Sequence, residues 1–168
     1  GVGGLATTVE QSHVIRDKGA RRVSPFAVPM LMPNAASGIV SIKLECWGPN
    51  FATASACASS ADAIGVGLDM IRMGRASAMI VGGSESTIIP VCVASFAQAH
   101  ALSSKFNDEP ERASRPFDQD RDGFVLSEGA GCLILEDEEF ARRRGAPILA
   151  ELAGWGSGAD GYHITAPE

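Results

Sequence analysis

A chain of 168 residues, 45% hydrophobic and 20% charged, has the composition of a globular domain with a sizeable core. Its formal net charge of −6 argues against nucleic acid as a general partner. No apolar run is long enough to cross a bilayer, and no signal-peptide pattern opens the chain.

In chain order, Leu5 to Lys18 reads as a helix: Val9, Val14 and Ile15 are apolar among charged neighbours, and Gly19 supplies the stop. Arg21 and Arg22 follow, before a turn containing Pro25. They read either as a grip for an anionic partner or as a solvated pair. Met30 to Leu44 reads as one mostly buried helix, with Asn34 and Gly38 marking close packing or a partner surface. Trp47 to Asn50 reads as a turn into a strand before Cys57. A helix then runs to about Gly74. Ala78 to Val81 reads as a strand covered on both faces, Ile88 to Leu102 as a helix and Ser103 to Gly123 as a polar loop. Gly131 to Glu136 reads as a second buried strand, Glu138 to Arg144 as a surface helix, and Ile148 to Trp155 as a last strand. Helices alternating with apolar strands indicate an α/β layered fold.

The stretch from Phe51 to Gly65 carries the chemistry. It begins with small, β-capable residues and turns helical at Ala61, Ile64 and Leu68, so Cys57 falls where strand hands over to helix. Ala56, Ala58, Ser59 and Ser60 leave room for a substrate to approach the backbone. A thiol attacks as thiolate, and only about a few per cent of an ordinary Cys is ionised at neutral pH. A helix N-terminus favours an anion by about 0.3–1 kcal/mol. That helps, but a second group must still move protons or stabilise charge. The alternative is a buried structural cysteine. The other cysteines, Cys46, Cys92 and Cys132, are widely spaced, and no CxxC pair occurs. That disfavours a zinc site or disulfide framework and fits a reducing compartment.

One pattern misleads. Asp118, Asp120, Asp122 and Gly123 begin like a calcium loop, but the twelfth position is Gly129, with Glu128 one place early. The stretch reads instead as a charged turn satisfied by Arg115 and Arg121.

Thr53-Ala54-Ser55-Ala56-Cys57-Ala58-Ser59 resembles the active-site stretch of β-ketoacyl-acyl carrier protein synthases. Gly82-Gly83-Ser84-Glu85 resembles their Gly-Gly-x-Glu. Arg115 to Phe124, followed by Glu128-Gly129-Ala130-Gly131, resembles their long loop and the strand after it, and Asp160 to Thr165 also fits. The match runs in order along essentially the whole chain and is nearest the elongating type II group. Modular polyketide synthase domains usually carry Asp-Thr-Ala-Cys-Ser-Ser-Ser, from which Ala58 departs.

The resemblance implies a thiolase-like, layered α-β-α-β-α fold and a homodimer. It implies that residues 1–168 form an internal part of one synthase domain: the end of the first half, the start of the second, and no separate second domain. The missing Met at Gly1 and the open ending at Glu168 carry the same expectation. It further implies that Cys57 takes an acyl group from acyl carrier protein and that malonyl carrier protein then condenses with it. No dissociable cofactor is needed, because the phosphopantetheine arm belongs to the carrier. By position, Val2 and Phe96 correspond to acyl-pocket residues and Arg21 and Arg22 to the basic patch for the carrier. Asp160, His163 and Thr165 correspond to positions near the pantetheine channel. Nucleic acid and membrane are not among the implied partners, and the implied location is cytoplasmic, or the plastid stroma in a plant.

One departure matters. The family uses two histidines, in His-Gly-Thr and Gly-His motifs, and His13, His100 and His163 lie in neither. Cys57 could be acylated, but the enolate formed by decarboxylation needs donors that these residues do not supply. The sequence is therefore expected to be inactive alone. Three other readings are a ketosynthase subunit or domain of polyketide synthesis, a chain-length-factor-like partner, a class that generally lacks the cysteine, and a cysteine hydrolase, which needs a His paired to Cys57.

Overall fold

The computed structural model describes residues 1–164. They form two compact units. One comprises Gly1–Gly3, Pro33–Gly83 and the chain from Gly131 onward; the other comprises Gly4–Met32 and Ser84–Ala130.

In the first unit, helix α3 (Ala35–Leu44) precedes the irregular stretch that leads to helix α4 (Ser59–Arg72). Strand β1 (Ala78–Glu85) follows and is hydrogen-bonded to β2 (Gly129–Glu136), the two forming a two-stranded sheet; helix α6 (Glu138–Arg143) comes next. Numbered in chain order, α1 (Leu5–Lys18), α2 (Ala27–Leu31) and α5 (Pro90–Gln98) belong to the second unit.

α4 is placed by small residues. A Cβ on Gly65 would lie 2.1 Å from the Trp155 ring, and one on Gly67 would lie 2.4 Å from Val81 Cγ1. The glycines therefore let α4 lie directly against Trp155 and β1. Trp155 Nε1 donates to Asp69 at 3.1 Å and Arg72 donates to the Ala153 carbonyl at 2.6 Å, tying the extended C-terminal stretch to the helix. Where β1 meets β2, Gly82 has φ 151°, and a Cβ there would stand 2.1 Å from the Gly131 carbonyl oxygen; only glycine fits. Asp137 caps α6, accepting from the Phe140 N–H at 3.0 Å, and Arg144 pairs with Glu136 at 2.7 Å.

In the second unit, α1 ends at Gly19, whose N–H bonds the Ile15 carbonyl at 3.1 Å, with Arg16 and Lys18 favourably placed in the last turn. Gly4 sits so close to Met30 that a Cβ would lie 2.1 Å from its carbonyl oxygen, which seats α1 on α2. Thr7 and Ala27 are buried there.

Several expectations are corrected. The single helix expected over Met30–Leu44 is two, because Pro33 cannot continue α2 and the helix restarts at Ala35. It is not mostly buried either: Ile39, Ile42 and Leu44 are exposed. The stretch before Cys57 and Ile148–Trp155 have strand-like sequences but form no strand, since no neighbouring edge among the described residues supplies a ladder. β2 forms as expected but exposes Leu133 and Ile134, and α5 stops at Gln98, short of Leu102. α1 and α6 end within a residue of expectation. No helix among the described residues is long and apolar enough to cross a membrane.

Candidate active site

Cys57 lies two residues before the first residue of α4, and it is exposed. The turn that presents it is built from short bonds. The Ala58 N–H reaches the Ser55 carbonyl at 3.0 Å and the Ser59 N–H reaches the Ala56 carbonyl at 3.2 Å. Between them Ala56 adopts φ 50°, a left-handed conformation uncommon for any residue with a Cβ. The chain thus reverses at Ala56 and enters the helix at once, leaving Cys57 on the outer side of an elbow.

The elbow is braced from three sides. Thr53 Oγ1 donates to the Ser59 carbonyl at 2.7 Å. Ser59 Oγ accepts from the Ser55 N–H at 2.9 Å and donates to the Ala56 carbonyl at 2.7 Å. The Ser55 hydroxyl donates to Asp62 Oδ2. From β1, Gly83 lies so close to Ser60 that a Cβ would be 1.9 Å from its hydroxyl. Gly1 passes the same turn, its Cβ position 3.2 Å from Ser59 Oγ and 3.4 Å from the Ala56 nitrogen. The segment carrying Val2, itself exposed, thus runs beside the elbow.

The other residues singled out by sequence are placed as follows. Phe96 stands on α5 and meets Phe124 edge to face, ring centroids 5.6 Å apart. Arg21 and Arg22 occupy a 3-10 turn, Ala20–Arg22, and both are exposed. Among the described residues neither pairs with a carboxylate. The turn is tied to α1 by the Ser24 N–H, which donates to Gln11 at 2.8 Å. Asp160 and His163 are exposed, His163 beside the ring of Tyr162; Thr165 lies outside the described residues.

The stretch of aspartates departs from its expected wiring. Arg115 pairs with Asp118 at 3.6 Å and Arg121 bonds the Asp118 carbonyl at 3.1 Å, as a self-satisfied turn requires. Asp122 uses neither arginine. It accepts from the Ser103 hydroxyl at 2.6 Å and from the N–H groups of Ser104 and Lys105 at 2.9 Å each. These bonds hold its carboxyl down to about 2, the Ser103 hydroxyl contributing most.

Sequence reasoning missed Asp62, Ser59 and Phe124 as supporting groups. Ser59-Ser60-Ala61-Asp62 was a visible signal, since Ser-x-x-Asp before an apolar run marks a helix start. The carboxylate closes on Ser55 instead of capping α4.

The site is thus an exposed cysteine on a braced elbow that opens directly into a helix. Residues 1–141 match the family described as β-ketoacyl synthase, N-terminal domain. The chain belongs to the β-ketoacyl synthase family. It is 50% identical over 167 residues to 3-oxoacyl-[acyl-carrier-protein] synthase 2 of Rhizobium meliloti (strain 1021), covering 99% of this chain and 40% of the relative. It is equally similar to the mitochondrial 3-oxoacyl-[acyl-carrier-protein] synthase of Arabidopsis thaliana, covering 99% of this chain and 36% of that protein. Among solved structures, a β-ketoacyl synthase from Burkholderia phymatum STM815 superposes with a TM-score of 0.88 at 37% identity, over 99% of this chain and 40% of that one. The ketosynthase complex AntDE:AntF, a type II polyketide synthase assembly with its acyl carrier protein, gives 0.86 at 35% identity, over 94% and 40%. The chain thus has a thiolase-like ketosynthase fold and spans about 40% of the length of these relatives.

Proposed function

We propose that this chain carries the nucleophile of a β-ketoacyl-acyl carrier protein synthase acting in fatty acid elongation. The Cys57 thiolate attacks the carbonyl carbon of an acyl thioester borne by acyl carrier protein, and the carrier's pantetheine thiolate leaves. Malonyl carrier protein then loses carbon dioxide. The resulting carbanion attacks the Cys57 thioester and expels the Cys57 thiolate, giving a 3-oxoacyl carrier protein two carbons longer. The observation that carries the reading is the exposed Cys57 on its elbow in a chain of this family. The Cys57 N–H, two residues before the first residue of α4, is assigned as one donor to the oxyanion of the tetrahedral intermediate. Val2 and Phe96 are assigned to the acyl pocket, and His163 and Thr165 to the pantetheine path. Arg21 and Arg22, exposed and without carboxylate partners among the described residues, are assigned to an acidic carrier protein. A homodimer, and a cytoplasmic location, belong to the same proposal.

The test uses the full-length protein with an acyl-loaded carrier protein and intact-mass analysis. An acyl adduct on Cys57, abolished in Cys57→Ser, is expected. No adduct, or adducts only on Cys46, Cys92 or Cys132, would refute the reading. A second reading is favoured by another neighbour, the ishigamide ketosynthase/chain length factor, with a TM-score of 0.75 at 30% identity. Acylation at Cys57 decides against a non-catalytic partner, and the acyl chain accepted decides between fatty acid and polyketide synthesis.

A further inference from the structure

The elbow is held by residues that the proposed chemistry leaves unused. A left-handed alanine costs roughly 1–2 kcal/mol, so Ala56 stays at φ 50° only because its surroundings over-determine it. The determining bonds converge on Ser55. Its N–H is taken by Ser59 Oγ at 2.9 Å and its hydroxyl by Asp62. Asp62 is itself fixed in the first turn of α4, its N–H bonding the Ala58 carbonyl at 2.9 Å. The residue before the left-handed alanine is thus clamped to the helix that follows it, through a side chain five positions beyond Cys57.

We propose that Asp62 is a positioning residue for the Cys57 thiol: by accepting the Ser55 hydroxyl it fixes the direction in which Cys57 leaves the turn. Its consequence for acyl transfer rests on the reading of Cys57 as nucleophile, whereas the clamp does not. A displacement of about 1 Å at a nucleophile can cost about 100-fold in rate. The bond needs only an acceptor at Asp62 and a donor at Ser55, so an amide oxygen at position 62 can replace the carboxylate.

The experiment compares Ser55→Ala, Asp62→Ala, Asp62→Asn and the double alanine variant in the full-length protein. Three quantities are read: kcat and KM for acyl transfer from an acyl-loaded carrier protein, the rate of iodoacetamide alkylation at Cys57, and the melting temperature. Each single alanine variant is expected to lower kcat about tenfold or more with KM nearly unchanged and folding intact. The double variant should be no worse than the worse single, because both remove one bond. Asp62→Asn should restore most of the rate, and alkylation of Cys57 should change with Ser55→Ala and return in Asp62→Asn. Wild-type kinetics in Ser55→Ala, additive losses, or an Asp62→Asn variant as slow as Asp62→Ala would overturn the proposal. If Asp62→Ala does not fold, Ser55→Ala removes the same bond from the other side and decides. A wild-type protein that takes no acyl group but still shows altered alkylation in Ser55→Ala leaves the clamp standing and removes the synthase reading alone.

Discussion

Asp122 gathers a hydroxyl and two backbone N–H groups onto one carboxylate at the neck of the loop from Ser103 to Gly123. Its carboxyl, ordinarily near 3.8, is held at about 2 in the folded protein. A depressed carboxylate stabilises the fold above its unfolded value and loses that contribution as pH falls toward the folded one. The loop neck should therefore be intact above about pH 4 and loosen as pH drops toward 2, read as a loss of protection of the Ser104 and Lys105 amides relative to their intrinsic exchange rates at each pH. Asp122→Asn should show fast exchange at those amides already at neutral pH, with no further step between pH 4 and 2. The sequence showed an acidic turn with nearby arginines, but not this wiring. The donors stand 17 to 19 residues away and two of them are backbone groups, which no side-chain pattern reveals. Cys57, by contrast, was legible because small residues flank it and a helical period follows at once.

At the scale of elements, α4 was readable almost to its ends, yet what holds it was not. Trp155 lies 90 positions beyond Gly65, and only the fold brings that ring to 2.1 Å from where a Cβ would be. Gly65→Ala should destabilise the full-length protein by about 1–3 kcal/mol, since the ring must shift and strain its bond to Asp69. Gly82→Ala should cost more, because the obstacle is the Gly131 carbonyl and φ 151° is itself unfavourable. Urea unfolding of both variants tests the order. The strands expected before Cys57 and over Ile148–Trp155 failed for a complementary reason. Alternating sequence marks a residue run fit for a sheet, but a strand exists only where another edge receives its hydrogen bonds.

At the scale of the whole molecule, the fold class followed from the alternation of α4, β1, α5, β2 and α6, whereas the extent of burial did not. The chain exposes 12,799 Å² for a mass of 17.4 kDa. A folded monomer of that mass exposes about 7,900 Å². The largest apolar side chains share in the excess: Trp47, Phe117 and Leu149 are each more than nine-tenths exposed. Composition promised a large core, but it counts apolar residues without saying what covers them. The 168-residue polypeptide alone should bind a hydrophobic dye strongly and self-associate as concentration rises. The full-length protein should do neither beyond a defined oligomer, as analytical ultracentrifugation would show.

The left-handed alanine also bears on which substitutions the gene can tolerate. Position 56 should sort variants by backbone preference: a selected saturation library enriches glycine and asparagine and depletes valine, isoleucine and threonine, whatever their polarity. A residue whose side chain is a single methyl group would then be among the most restricted in the chain, and its neighbour's chemistry would be the reason.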